Sequence, residues 1–169
     1  TIAIPCNDGE VELWGECYNI EETTNLNLSN SGLSGSIPSE IGQLVNVISL
    51  NLNGNQLTGE IPPEICDLTT AQYFALQENN LTGEIPSCMW GLTNAYGLYF
   101  SYNQLTGIIP EDVCNLLPPY SDVSDGWGTD VNFACNSFSP PYPTCVADES
   151  HWDINGWGQY QGECHFSII

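Results

Sequence analysis

The chain has 169 residues, 21 of them Asp or Glu and none Lys or Arg, for a formal net charge of −21 at neutral pH. Average usage would supply roughly 20 basic residues in a chain this size, so Lys and Arg salt bridges are excluded, as are nucleic acid and anionic membrane surfaces as electrostatic partners. No run approaches the ~18 apolar residues of a membrane-spanning helix, which excludes membrane insertion by a helix.

Thr1-Ile-Ala-Ile-Pro5 is a short apolar leader and reads as a mature end left by a removed signal peptide. Residues 1–24 form an amino-terminal cap. Beyond it four prolines recur 24 residues apart, at Pro38, Pro62, Pro86 and Pro110. Each closes one phrase: Leu33-Ser-Gly-Ser-Ile-Pro38, Leu57-Thr-Gly-Glu-Ile-Pro62, Leu81-Thr-Gly-Glu-Ile-Pro86 and Leu105-Thr-Gly-Ile-Ile-Pro110. A fixed period of this length marks a solenoid, in which no copy buries its apolar side alone and stacked copies share one core. Its function has to be sought on the faces of the stack.

Upstream of each phrase, Leu26/Leu28, Leu50/Leu52, Phe74/Leu76 and Leu98/Phe100 alternate at strand period. Three residues after each pair stands Ser31, Asn55, Asn79 or Asn103. A buried Asn there can satisfy the backbone of its own turn and of the neighbouring coil, giving a hydrogen-bonded ladder. Ser34, Thr58, Thr82 and Thr106 should stack as a hydroxyl column.

The pattern LxLxxNxLxGxIP over residues 24–118 resembles the plant-type leucine-rich repeat of polygalacturonase-inhibiting proteins and receptor-kinase ectodomains, which secreted bacterial arrays share. The resemblance implies an α/β-type right-handed solenoid, mostly β, of about five coils. A parallel sheet would line its concave side and short 3₁₀ or irregular segments its convex side. The four repeats then occupy residues 25–119. Residues 120–169 hold a fifth, irregular coil and a carboxyl-terminal cap: Val131, Phe133, Asn136 and Phe138 repeat the spacing 33 residues after Leu98, with a strand near 131–133. Pro140-Pro-Tyr-Pro143 is a stiff terminating segment.

Eight cysteines without a C-x2-C pair point to disulfides and an oxidising, extracellular compartment rather than to zinc. Cys66 lies four residues after its repeat proline and Cys88 two after the next. Cys114 and Cys145 repeat those offsets from Pro110 and Pro143. Stacked coils bring such positions within disulfide reach, so Cys66 pairs with Cys88 and Cys114 with Cys145. Cys6 and Cys17 close the amino-terminal cap, and Cys135 and Cys164 remain to pin the tail.

Catalysis has no support: His151 and His165 lie outside the repeats, and no nucleophile elbow or positioned acid and base can be picked out. The expectation is a non-catalytic protein without cofactor. Asp122, Asp125 and Asp130, and separately Asp153, place oxygen ligands near glycines in a manner suited to calcium. Neither set completes an EF-hand loop, and solvated Asx-rich turns are the simpler reading of both.

On the concave sheet, outward columns run Asn25, Ser49, Tyr73, Gly97; then Asn27, Asn51, Ala75, Tyr99; then Ser29, Asn53, Gln77, Ser101. Asn51, Asn53 and Gln77, with Tyr73, Tyr96, Tyr99 and Tyr102, are the candidate binding residues, chemistry suited to a protein partner or to stacking on a neutral glycan. Ordinary strand tyrosines are the alternative. The termini suggest another use. Ile2 and Ile4 at one end, and Phe166, Ile168 and Ile169 at the other, are apolar segments that could dock into a second copy and propagate as a filament, or fold back on their own caps. The expected function is an extracellular structural or adhesive component acting through protein contacts, including self-assembly. The alternative is a recognition module for a protein or glycan on the concave face.

Overall fold

A computed structural model of the protein describes residues 6–116, 130–141 and 143. The cap is an antiparallel hairpin, β1 (Glu10–Leu13) and β2 (Glu16–Asn19), turned by Trp14 and Gly15. Both turn residues have positive φ, 50° and 88°, as a two-residue hairpin loop requires to match the twist of its strands. Val11 and Leu13 are buried, so one face of the hairpin seals the first coil. Cys6 is bonded to Cys17, with Cα atoms 5.6 Å apart.

The main parallel sheet consists of β3 (Asn25–Asn27), β5 (Ser49–Asn51), β7 (Tyr73–Ala75), β9 (Gly97–Tyr99) and β11 (Asp130–Asn132), side by side in that order. Its register follows the repeat. Leu26 faces Leu50, Leu50 faces Phe74, Phe74 faces Leu98, and Leu98 faces Val131. The fifth coil therefore joins at the 33-residue interval. Its strand begins one residue before the expected 131–133, because the buried Val131 sits at the centre of a three-residue strand like its counterparts.

A second parallel sheet, which the sequence did not suggest, forms from β4 (Ser34–Gly35), β6 (Gln56–Glu60), β8 (Asn80–Glu84) and β10 (Gln104–Thr106). These are the repeat phrases themselves, whose Gly and Pro read as turn signals. Partners here are 22 residues apart, not 24: Thr58 faces Asn80 and Thr82 faces Gln104. The hydroxyl column is thus staggered, and Thr58 and Thr82 are not direct opposites.

Each repeat proline then starts a 3₁₀ turn, at Ser39–Gln43, Pro63–Asp67, Ser87–Gly91 and Glu111–Asn115. The prolyl carbonyl accepts the N–H three residues on: Ile41 to Pro38 at 3.1 Å, Ile65 to Pro62 at 3.0 Å, Met89 to Pro86 at 3.0 Å and Val113 to Pro110 at 3.2 Å. Cys66 and Cys88 sit on successive turns and are bonded, with Cα atoms 5.8 Å apart. Cys114 and Cys135 are also in disulfides; their expected partners Cys145 and Cys164 lie outside the described residues.

The core between the sheets and turns is a set of stacked columns, such as Leu50, Phe74 and Leu98, and Ile41, Ile65, Met89 and Val113, all buried. Phe133 of the last coil stacks on Phe100, with centroids 5.9 Å apart and planes 7° from parallel, and meets Phe138 and Trp90 edge-on. The Asn ladder forms. Asn55, Asn79, Asn103 and Asn136 each accept a backbone N–H of the preceding coil, from Leu33, Leu57, Leu81 and Leu105 respectively. One residue before each ladder position the backbone turns through positive φ, at Asn30, Gly54, Glu78, Tyr102 and Cys135.

Candidate functional site

The main sheet turns Tyr73 and Tyr99 outward from β7 and β9, and Tyr96 precedes β9. Tyr73 stands opposite Gly97 in the register. A Cβ at position 97 would lie 2.7 Å from Tyr73 Cδ2 and 2.8 Å from Tyr99 Cε2, so no larger residue fits while the rings stay where they are. Gly97 is buried and both rings half-buried: the missing side chain lets two aromatics lie against the sheet. Tyr73 is the centre of a three-ring cluster. Its centroid is 5.4 Å from that of Tyr99, with planes at 51°, and 5.8 Å from that of Tyr96, at 38°. Tyr96 is 50% exposed.

Tyr102 occupies the left-handed turn after β9, with φ of 54°, and makes no ring contact with the cluster among the described residues. Its distance in sequence from Tyr99 is short, but the strand has ended and the alternation no longer applies. Asn51 Oδ1 accepts the N–H of Asn53 at 3.2 Å. Asn27 does the same for Ser29 at 3.1 Å and Asn132 for Ala134 at 3.0 Å, so this column holds the strand exits as well as facing outward. Asn53 and Gln77 are half-buried on the same face, and Gln77 Oε1 is shielded from solvent without a hydrogen-bond donor.

None of the outward side chains of β3, β5, β7 and β9 is a carboxylate. In a chain with 21 acids and no basic residue, these four strands are a neutral strip, and the fifth, β11, begins with Asp130 opposite Gly97. Other described acids include Glu78, exposed in the turn after β7, Glu10, Glu12 and Glu16 on the cap hairpin, Glu60 and Glu84 on the second sheet, and Glu64 and Asp67 on a 3₁₀ turn. In the cap, the Tyr18 hydroxyl is pushed above its ordinary pKa by burial and then by the nearby Glu16 carboxylate.

Among the described residues one group has metal-ligand proximity, Cys6, Glu10 and Cys17. The two sulfurs are bonded to each other and offer no thiolate, while Glu10 Oε2 accepts both the backbone N–H and the side-chain N–H of Asn7, at 2.9 and 3.0 Å. Of the calcium candidates, Asp122, Asp125 and Asp153 lie outside the described residues, and Asp130 is described by its backbone, paired with Gly97. The apolar termini, Ile2, Ile4, Phe166, Ile168 and Ile169, also lie outside. No described helix is long and apolar enough to cross a membrane.

The family profile described as Leucine Rich Repeat matches residues 23–44, 46–68 and 96–116. The ectodomain of BIR2 from Arabidopsis thaliana is similar in structure, with 30% identity, a TM-score of 0.61, and coverage of 71% of this chain and 58% of that one. The chain belongs to the plant-type leucine-rich repeat proteins. Other solved leucine-rich repeat structures agree. That of the BIR3–SERK2 complex from Arabidopsis thaliana matches at 28% identity and a TM-score of 0.60, over 81% of this chain and 67% of that one. A plant ice-binding protein matches at 31% identity and 0.54, over 63% of this chain and 31% of that one. This leucine-rich repeat chain thus spans less than two thirds of the BIR2 and ice-binding chains. No curated protein matches it in sequence.

Proposed function

We propose that the protein is an extracellular, non-catalytic recognition module that binds a protein partner on its concave face, with Tyr73, Tyr96 and Tyr99 as the central contacts. The observation that carries this reading is the packing of Tyr73 and Tyr99 over Gly97. It spreads rigid amphipathic rings in the middle of an otherwise small, polar sheet, and such rings are the side chains that dominate protein interfaces. The disulfides support an oxidising exterior. The similarity to receptor ectodomains, one of them solved within the BIR3–SERK2 complex, supports a protein as the partner class.

Recognition takes precedence over filament assembly because three contacting tyrosine rings give this face a built contact site. The test compares retention of partners from the native extracellular fraction by the wild-type chain, by Tyr96→Ala, and by Ile108→Ala at an exposed apolar residue just after β10. The reading expects a retained protein that is lost with Tyr96→Ala and kept with Ile108→Ala. Retention indifferent to Tyr96, together with sedimentation of the pure chain as large particles, would favour self-assembly instead.

A further inference from the structure

We infer that Asn80 is an N-linked glycosylation site whose oligosaccharide covers the second sheet, an inference that rests on the extracellular reading.

Asn80-Leu81-Thr82 is an acceptor sequence of the N-x-S/T type, and the fold turns it outward. It opens β8, an interior strand of the second sheet with β6 on one side and β10 on the other. Leu81 is fully buried, so strand alternation sends Asn80 and Thr82 together to the outer face. Asn80 is exposed, and its carboxamide makes no hydrogen bond to another described residue. Its partner in the register is Thr58, a short side chain that is itself exposed.

No structural duty accounts for asparagine at this position. The neighbouring Asn79 serves the ladder, accepting from Leu57 and donating to the carbonyls of Leu52 and Leu76. The repeat equivalents of Asn80 are Gln56 and Gln104, both exposed, so the place asks only for a polar side chain. Of the three, Asn80 alone opens an acceptor sequence. The chain's other acceptor sequence, Asn27-Leu28-Ser29, differs in this respect. Asn27 Oδ1 accepts the Ser29 N–H at 3.1 Å, as Asn51 and Asn132 do for Asn53 and Ala134, so the strand exit explains asparagine there.

The transfer balances with a lipid-linked oligosaccharyl diphosphate as donor. Asn80 Nδ2 bonds to the anomeric carbon of the first sugar while the bond from that carbon to the diphosphate oxygen breaks. The diphosphate leaves with the electron pair, and one amide proton passes to base. Nothing is oxidised or reduced. The added sugar hangs on a side chain outside both core and ladder, so its volume stands in solvent. A bulky, solvated chain on an interior strand bars a protein partner from the second sheet and leaves the concave face open.

The experiment isolates the chain from the native extracellular fraction and treats it with peptide-N-glycosidase in heavy-oxygen water, which converts a glycosylated asparagine to labelled aspartate. Peptides come from chymotryptic or acid-specific cleavage, because the chain has no Lys or Arg. The expected label falls on Asn80. In variants secreted by the same cells, Asn80→Gln and Thr82→Ala lose it, whereas Thr82→Ser, which keeps the hydroxyl, retains it. The glycosidase-treated chain should hold its partner through Tyr96 as the untreated chain does. Asn80 recovered without label from the extracellular chain, or label that persists in Thr82→Ala, overturns the inference and leaves the recognition reading standing. Partner retention lost with the sugar overturns the claim that the second sheet is closed to contact. A chain found only inside the cell overturns the inference together with the extracellular reading. Label at Asn80 with retention indifferent to Tyr96 supports the inference and overturns recognition alone.

Discussion

The backbone N–H of Leu57 donates to Asn79 Oδ1 at 3.0 Å, across 22 residues of sequence and from one coil to the next. The same carboxamide donates to the carbonyls of Leu52, at 3.0 Å, and Leu76, at 3.2 Å. Asn79→Ala strands these groups in the interior, and an unpaired buried donor costs far more than an ordinary hydrogen bond contributes. The expected loss is roughly 2–4 kcal/mol of unfolding free energy, read from urea denaturation. A loss below about 0.5 kcal/mol would show that the ladder contributes little beyond packing.

Tyr102 shares the left-handed turn position with Gly54 of an earlier coil, at φ of 54° and 67°. A residue with a Cβ is disfavoured there by about 1 kcal/mol or more, a penalty glycine does not bear. Tyr102→Gly should therefore raise stability by up to about 1 kcal/mol and leave binding by the cluster unchanged. Destabilisation, or lost binding, would show that the Tyr102 ring makes contacts worth more than the strain.

Much of the fold was legible in the sequence, because the features that set it are periodic. The 24-residue interval of the prolines fixed the main register, and the ladder positions Asn55, Asn79 and Asn103 could be placed by their offset from the leucine pairs. The second sheet was not legible. Strands β6 and β8 carry Gly59 and Gly83 and a single core residue each, Leu57 and Leu81; their strand character comes from pairing between coils, which no single repeat displays. At the site, outward alternation placed Tyr73 and Tyr99 correctly, and failed for Tyr102 because the strand ends before it. The role of Gly97 was missed, although it is the glycine in a column otherwise made of Asn25, Ser49 and Tyr73.

The phase of the cysteines predicts the rest of the cross-linking. Peptide mapping under non-reducing conditions should recover Cys114 with Cys145 and Cys135 with Cys164, alongside the Cys6–Cys17 and Cys66–Cys88 bridges. Trypsin has no site in this chain, so acid-specific or chymotryptic cleavage is needed. A Cys114 peptide linked to Cys164 would contradict the offset argument. Replacing Cys66 and Cys88 together by Ala should cost about 2–4 kcal/mol, as expected for a closed loop with a separation of 22 residues.

Burial, with Glu16 nearby, raises the Tyr18 hydroxyl above its ordinary pKa of 10.0. The folded state thus holds this proton more tightly than the unfolded chain. Its contribution is fully present below the unfolded value and is lost as pH rises through the raised folded one. Denaturant midpoints at about pH 9 and about pH 11 should fall further for the wild-type chain than for Tyr18→Phe. Equal declines would assign the alkaline loss to other groups.

The central claim is that the neutral tyrosine face is the recognition surface. Hydroxyl-radical footprinting of the chain with and without a bound partner reads it directly, residue by residue. The account predicts that Tyr73, Tyr96 and Tyr99 become protected while Ile108 and Val45, both exposed and outside the strands of the main sheet, keep their reactivity. Protection of Ile108 or Val45 with the three tyrosines unchanged would contradict it.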